Sequence, residues 1–311
     1  MSTKKIIPVF YASDENYLPY LTVSVSSLKE NASKEYAYEI YVLHANMEQG
    51  ASTEKLLKYA DEDFRIVFVD ISERLEDVKN ALQLRDYYTG ATYYRIFIAS
   101  MFPQFEKAIY LDSDTIVLGD ISKMYEMELK DELIGAARDG ALAAVPEFRL
   151  YTKETLGIAA DEYFNAGVLL MNLKQFRKDD FYSKFCGLLK EYKFCVAQDQ
   201  DYLNVLCHGK VRYFGEEWNR MPIGGEGDTP ELIHYNLTMK PWHYENILFK
   251  EHFWNYARRS EFYQRILNDL HGYSAADKAH DSECEVALRA LAVKEAERRD
   301  NFIKTRRKAQ K

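Results

Sequence analysis

Residues 107–118 read "KAIYLDSDTIVL", and two carboxylates, Asp112 and Asp114, stand inside an otherwise apolar run. Ile109, Tyr110 and Leu111 precede them, and Ile116, Val117 and Leu118 resume the run. On a strand, residues i and i+2 share one face. Two carboxylates on one face repel, and burying them is costly unless a cation lies between them. Such a pair can hold a divalent metal through oxygen, with a phosphate on the metal's far side. The plainer reading is an acidic turn that ends a strand. Apolar sequence on both flanks weighs against it.

Four other stretches carry polar groups that could serve the same chemistry. In "YFNAGVLLMNL" (163–173), Asn165 offers a donor and an acceptor, and Gly167 allows close backbone approach. In "AQDQDYLNVL" (197–206), Asp199, Gln200 and Asp201 open a helix; a helix N-cap is the ordinary role of one such acid. In "IHYNLTMKPWH" (233–243), His234 is a good third ligand beside two carboxylates, and Lys240 suits a diphosphate. "SDENY" (13–17) follows the first strand, where Asp14 and Asn16 either read a nucleoside or form an Asx turn. A phosphatase of the haloacid-dehalogenase type would also place an Asp pair after an apolar strand, as DxDx[TV]. Here the fifth residue is Ile116, and the motif lies more than a hundred residues into the chain.

The elements that must position these groups alternate. Strands are expected at 4–12, 38–45, 64–71, 107–118, 133–139, 166–172, 211–214 and 232–236. Pro8 sits awkwardly in the first of them. Helices are expected from Leu18 through Leu28, over 52–63 with Ser52 or Thr53 as N-cap, over 91–102, and at 180–194 and 199–208. Alternation of this kind predicts a mainly parallel sheet with helices on both faces, and ligands at the carboxyl ends of its strands. "MPIGGEGDTPE" (221–231) reads as a mobile loop. No repeat or low-complexity segment interrupts the chain. After about residue 255 the pattern is helical and polar. This divides the chain into a catalytic domain (1–255) and a helical extension (256–311).

Composition narrows the class. The 311 residues carry a net charge of −8, which argues against a nucleic-acid binder. The charge is uneven: residues 284–311 hold nine Lys/Arg against four Asp/Glu, and the remainder carries −13. Four cysteines without CxxC spacing favour a reducing compartment. With no signal-like start and no apolar run of about 18 residues, the body is expected to be cytoplasmic. Ala287, Leu288, Leu291 and Ala292 share a helical face before the basic end "KTRRKAQK". A membrane-surface contact through 284–311, at the inner face of a membrane, is one reading; a solvated helix is the other.

Taken in order, "YLDSDTIV", "YFNAGVLLMNL", "QDQDYLN" and "HYNLTMKPWH" resemble the motifs of glycosyltransferase family 8. These retaining enzymes include bacterial lipopolysaccharide α-galactosyl- and α-glucosyltransferases and, more distantly, glycogenin. The likeness runs from the first strand to Trp242. It implies a GT-A fold and transfer of galactose or glucose from a UDP-sugar to a glycan or glycolipid acceptor. Asp112, Asp114 and His234 match the metal ligands, for Mn²⁺ or Mg²⁺. Ala12, Asp14 and Asn16 match the uridine-contacting segment, Ser113 lies within the nucleotide-binding motif, and Lys240 matches the diphosphate contact. Arg95, Asp139, Asn165, Asp199 and Gln200 match residues around the donor sugar, with Asp201 the nearest further carboxylate. Gln200 falls beneath the anomeric carbon, which favours attack from the leaving-group face over a covalent intermediate. One position departs: the family's Gly three residues after the metal His is Leu237 here. A non-catalytic binder of UDP-sugars with the same fold and a metal-dependent phosphatase are the alternatives.

Overall fold

The computed structural model describes residues 4–76, 78, 90–224 and 229–309. Residues 225–228 of the Gly/Pro-rich stretch and the last two residues of the basic end lie outside the described residues.

Strands β1 (Lys5–Ala12), β2 (Tyr36–His44) and β3 (Phe64–Asp70) alternate with helices α1 (Leu18–Asn31), α2 (Ala51–Leu57) and α3 (Ser72–Glu76). A 3₁₀ helix over Gly90–Phe97 leads through α4 (Ile98–Met101) to β4 (Ala108–Asp112) and β5 (Thr115–Val117). Next come α5 (Ser122–Glu126), β6 (Ile134–Arg138), α6 (Gly140–Ala144), α7 (Pro146–Tyr151) and β7 (Phe164–Met171). Helices α8 (Leu173–Lys178), α9 (Phe181–Glu191) and α10 (Asp199–Cys207) precede β8 (Val211–Tyr213) and β9 (Leu232–His234). The chain closes with α11 (Lys250–Ala257), α12 (Tyr263–Gly272), α13 (Ala275–Glu297) and α14 (Phe302–Ala309).

Seven strands form one sheet in the order β3-β2-β1-β4-β7-β6-β8, and β5 pairs with β9 in a second, two-stranded sheet. Within the large sheet β7 alone runs against its neighbours, β4 and β6; the other pairings are parallel. The sheet is therefore mixed and mainly parallel, as the alternation predicts. Both faces are covered. Ile7, Val9 and Tyr11 of β1 join the core on the α1 side, while Phe10 and Ala12 join the core on the other. This two-sided burial is why the strands read as nearly continuous apolar runs. Pro8 lies opposite Glu39 in the β1–β2 ladder, and the ladder between β1 and β4 begins only at Val9.

Several boundaries differ from expectation for physical reasons. The run at 107–118 is not one strand: β4 ends at Asp112, Ser113 and Asp114 turn, and β5 leaves for the second sheet. The segment expected as a helix over 91–102 is mostly 3₁₀, with Arg95 drawn inward to the carbonyls of Thr92 and Ala166. Helix α2 is capped by Gly50, and Thr53 Oγ1 folds back onto Gly50's own N–H and carbonyl.

The helices after residue 255 pack on the body. Ile266, Ala292, Ala296 and Asn301 are buried, and Phe302 joins Tyr192 and Phe194 in an aromatic cluster. The face of α13 bearing Leu288, Leu291 and Ala292 is turned to the protein rather than outward; Arg306, Arg307 and Lys308 of α14 stay exposed. Among the described residues, no helix is long and apolar enough to cross a membrane.

Candidate active site

The carboxyl ends of β1 and β4 lie side by side, with Ala12 paired to Asp112 in the ladder. The turn after β4 swings Asp114 away from the large sheet. The β5–β9 ladder then sets Thr115 opposite His234, and the Tyr235 N–H donates to the Asp114 carbonyl at 2.9 Å. Two sheets thus bring Asp112, Asp114 and His234 together, with one ligand atom of each within 4.8 Å of the others. The pair does not share one strand face, as the sequence had suggested; the turn does the converging.

The polar atoms here are arranged for a cation. His234 Nδ1 lies 3.0 Å from Asn219 Oδ1, so in the neutral imidazole Nδ1–H is the donor and Nε2 carries the lone pair. Nε2 is 3.3 Å from Asp114 Oδ1 and 3.7 Å from Asp112 Oδ2. Asp114 Oδ1 is buried and receives no hydrogen bond. A lone-pair nitrogen facing a buried, donorless carboxylate oxygen is an arrangement that a divalent ion resolves. Gly167 makes room for it: a Cβ there would lie 2.2 Å from His234 Cε1 and 2.7 Å from Asp112 Oδ2. The glycine's freedom serves the packing of these side chains.

Two cations and one amide chain surround that cluster. Lys240 is buried, donates to Asp114 Oδ2 and, at 2.6 Å, to the Tyr235 carbonyl. Burial opposes the charge of Asp114, but the Lys240 ammonium holds its carboxyl well below the usual range. Arg95, 3% exposed, stacks on Tyr110 and reaches Asp112 Oδ1 at 3.3 Å and Asp199 Oδ2 at 3.0 Å. Its Nε–H is aimed at the Thr92 carbonyl, so the contact with Asp199 is an ion pair without an aligned hydrogen bond. Burial pushes Asp199 up to about 7, against the pull of Arg95 and with Asp112's charge adding.

The amide chain runs from Asn219, beside His234, to Asp139 and Gln200. Asn219 Nδ2 donates to Asn165 Oδ1 at 3.0 Å, and Asn165 Nδ2 donates to Asp139 Oδ2 at 3.2 Å. Gln200 Nε2 donates to the same Asp139 oxygen at 3.0 Å, while Gln200 Oε1 accepts the Ala166 N–H at 2.9 Å. Asp139 also caps α6 through the Leu142 N–H at 2.8 Å. Gln198, just before these residues, holds φ 49° and ψ −118°, a strained backbone for a non-glycine residue.

One cleft of about 630 Å³ joins these groups. It is lined by Ala12, Asp14, Arg95, Asp112, Ser113, Asp114, Asp139, Asn165, Asp199, Gln200, His234 and Lys240. Two expected residues lie outside its lining. Asn16 is exposed, and Asp14 makes the Asx turn through the Tyr17 N–H at 2.9 Å. Asp201 is fully buried and accepts from Tyr151 (2.8 Å), Tyr163 (2.7 Å) and the Ala197 N–H (2.9 Å). The N-cap of α10 is Gln198 rather than Asp199. Asn219 was missed by sequence reasoning, because nothing in "EEWN" marks it. Leu237 lines the cleft with φ 49°, a left-handed conformation that glycine takes freely.

The helical extension forms the far wall through Cys284, Glu285, Leu288 and Leu291. It is latched to the segment carrying His234 and Lys240. Tyr244 and Tyr273 both donate to Asp281 Oδ2, at 2.6 and 2.8 Å, and His243 stacks on Tyr273 at 3.9 Å.

Comparison with known proteins agrees with this geometry. The model of the family described as "Glycosyl transferase family 8" matches residues 8–246. A putative glycosyltransferase of Haemophilus influenzae is 29% identical over 69% of this chain, which spans 63% of that relative's length. The lipopolysaccharide 1,2-glucosyltransferase of Escherichia coli K12 is 26% identical over 78% of this chain and 75% of its own. The solved structure of the galactosyltransferase LgtC, in complex with donor and acceptor sugar analogs, superposes with a TM-score of 0.70 at 26% identity. It covers 82% of this chain and 96% of that one.

Proposed function

The chain belongs to glycosyltransferase family 8, with its GT-A fold, and from that premise we propose that it transfers galactose or glucose from a UDP-sugar to an acceptor hydroxyl. The acceptor we infer is a lipopolysaccharide or another cell-surface glycan, and the anomeric configuration is retained. The observation that carries the reading is the Asp112–Asp114–His234 cluster with its donorless buried oxygen, at the strand ends of a cleft that continues to Asp139 and Gln200. These three residues would hold Mn²⁺ or Mg²⁺, which when bound supplies charge stabilisation for the departing diphosphate.

The chain's own residues do the rest. Ala12, Asp14 and Ser113 line the nucleotide end. Lys240 brings a buried positive charge toward the leaving group. Its ammonium already has two acceptors, so it is positioned and desolvated before substrate arrives. Arg95 is fixed by carbonyls and two carboxylates, and it orients the donor sugar. Gln200 has both ends of its amide engaged, which makes it a rigid dipole beneath the reacting carbon and a poor nucleophile. Asp201, saturated by three donors, anchors α10 to Tyr151 and Tyr163. Those placements favour attack from the leaving-group face, with a phosphate oxygen taking the acceptor proton. The exposed basic end of α14 on an acidic body suits contact with an anionic membrane surface.

The test is UDP release from UDP-glucose and UDP-galactose, each with Mn²⁺ or with EDTA. Slow, Mn²⁺-dependent hydrolysis of one donor is expected. Binding of neither UDP-sugar nor UDP would refute the reading.

A further inference from the structure

Beyond the nucleotide end, the cleft changes character. Leu142, Val145 and Phe148 of the α6–α7 segment line it together with Leu288 and Leu291 of α13. Val145, Phe148, Leu288 and Leu291 are half-buried, and the last three pack partly on the core and partly face the cleft. The apolar wall begins at the reaction centre itself, because the carboxylate of Asp139 caps α6 through Leu142. A hydroxyl presented to Asp139 and Gln200 must hang from something that passes over these side chains. Apolar surface left in water is unfavourable, and an occupant that covers it gains affinity in proportion to the area removed from water.

We propose that this end of the cleft is an acceptor subsite that takes an uncharged acceptor bearing an apolar moiety next to the accepting hydroxyl. The class is a glycoside with an alkyl or acyl part, as in a glycolipid, rather than a phosphorylated saccharide. Asp281 on the same wall, an acid held by two neutral tyrosine hydroxyls, disfavours an anionic occupant, while Glu285 is paired with Arg289. The wall is preformed, since Asp281 ties α13 to Tyr244 and Tyr273. The inference rests on the transferase reading for its orientation, and names the class of acceptor that reading leaves open.

Calorimetric titration with methyl, butyl and octyl β-D-galactosides and β-D-glucosides, below their micelle concentrations and with UDP and Mn²⁺ present, tests it. Affinity is expected to rise roughly two- to four-fold per methylene over the first few carbons. Leu288→Asn and Phe148→Ser should each flatten the series. Leu150→Asn, at an exposed leucine of α7 outside the cleft, should leave it intact. Circular dichroism verifies the fold of each variant. A flat series in the wild type, or a rise that survives both cleft variants, would overturn the subsite. The series repeated without UDP and Mn²⁺ keeps the two ideas separable: loss of UDP binding refutes the transferase, and the chain-length dependence judges the wall alone.

Discussion

The two ends of the cleft are built on opposite terms. At the proposed donor end the functional groups come from strand ends and the turns beside them, and most polar atoms have a fixed partner, the buried oxygens Asp114 Oδ1 and Asp199 Oδ2 excepted. Asp112, Asp114, His234, Asn219, Asn165, Asp139 and Gln200 form one continuous polar set. At the acceptor end the wall is made of two helices about 140 residues apart in sequence, and its side chains are apolar and half-exposed. The contrast teaches where change is tolerated. A substitution in the polar set leaves a buried partner unsatisfied and disturbs its neighbours. A substitution on the helical wall alters which acceptor fits while the polar set stays whole.

The sharpest way to break that contrast is Asp114→Asn. The exchange keeps the shape but removes one anionic ligand and leaves Lys240, buried, without its carboxylate. UDP release is expected to fall by about 10³-fold or more. Removing one partner of a buried pair costs about 3–5 kcal/mol, which urea denaturation would register. Retained Mn²⁺-dependent turnover would mean that the donor end is not where the metal acts. Next in size is Asn219→Ala, which removes the acceptor that fixes the His234 tautomer. Mn²⁺ affinity, read by calorimetry without any donor, should weaken about 10- to 100-fold. An unchanged affinity would make the amide chain mere packing.

How much of this was legible beforehand follows the same division. The strands and the Asp112–Asp114 pair showed in the sequence because buried parallel strands are written as β-branched and aromatic runs, and carboxylates stand out within them. The break at Ser113–Asp114 did not show. Apolar residues continue on both sides, and hydrophobicity does not say that β5 pairs with β9, more than a hundred residues later. Asn219 reaches His234 only through the bridge between Arg220 and Ile233, which no local pattern encodes. On α13, the apolar face was readable, but its partner was not. An amphipathic helix looks alike whether a membrane or the protein's own core covers it, and here Leu288 and Leu291 meet the core. Leu237 was visible as a departure from the family's glycine, while its left-handed φ required the fold.

The seam between the two ends offers a pH test. His243 stacks on Tyr273, and burial, with Lys240's charge behind it, lowers its imidazole to about 4 against the pull of Asp281, Asp269 and Asp277. A base whose folded pKa is depressed gives stability that is whole above the unfolded value near 6.5. That stability is lost as pH falls toward 4. The span corresponds to at most about 3 kcal/mol. Asp199, raised to about 7, has the opposite slope over an overlapping range, so the wild-type profile alone is uninformative. The stability difference between wild type and His243→Phe removes that overlap. It should shift by about 2–3 kcal/mol in the variant's favour between pH 7 and pH 4. A constant difference would show that the seam does not exclude the proton.

The smallest expected effect concerns Leu237, where the resemblance leads to an expectation of glycine. Leu237 holds φ 49°, lines the cleft and is 36% exposed, so it has little packing to offset the strain of a side chain in the left-handed region. That strain costs about 1–2 kcal/mol for a residue with a Cβ. Leu237→Gly relieves it but gives the unfolded chain more freedom, which returns about 0.5–1 kcal/mol. The net is a stabilisation of up to about 1 kcal/mol, visible as a small rise in the urea midpoint. Had the leucine been kept for packing, the same exchange would lower the midpoint. Its effect on the alkyl-glycoside series then assigns the residue to one end. A steeper series in Leu237→Gly would place the leucine against the acceptor, and a change confined to UDP affinity would place it with the donor.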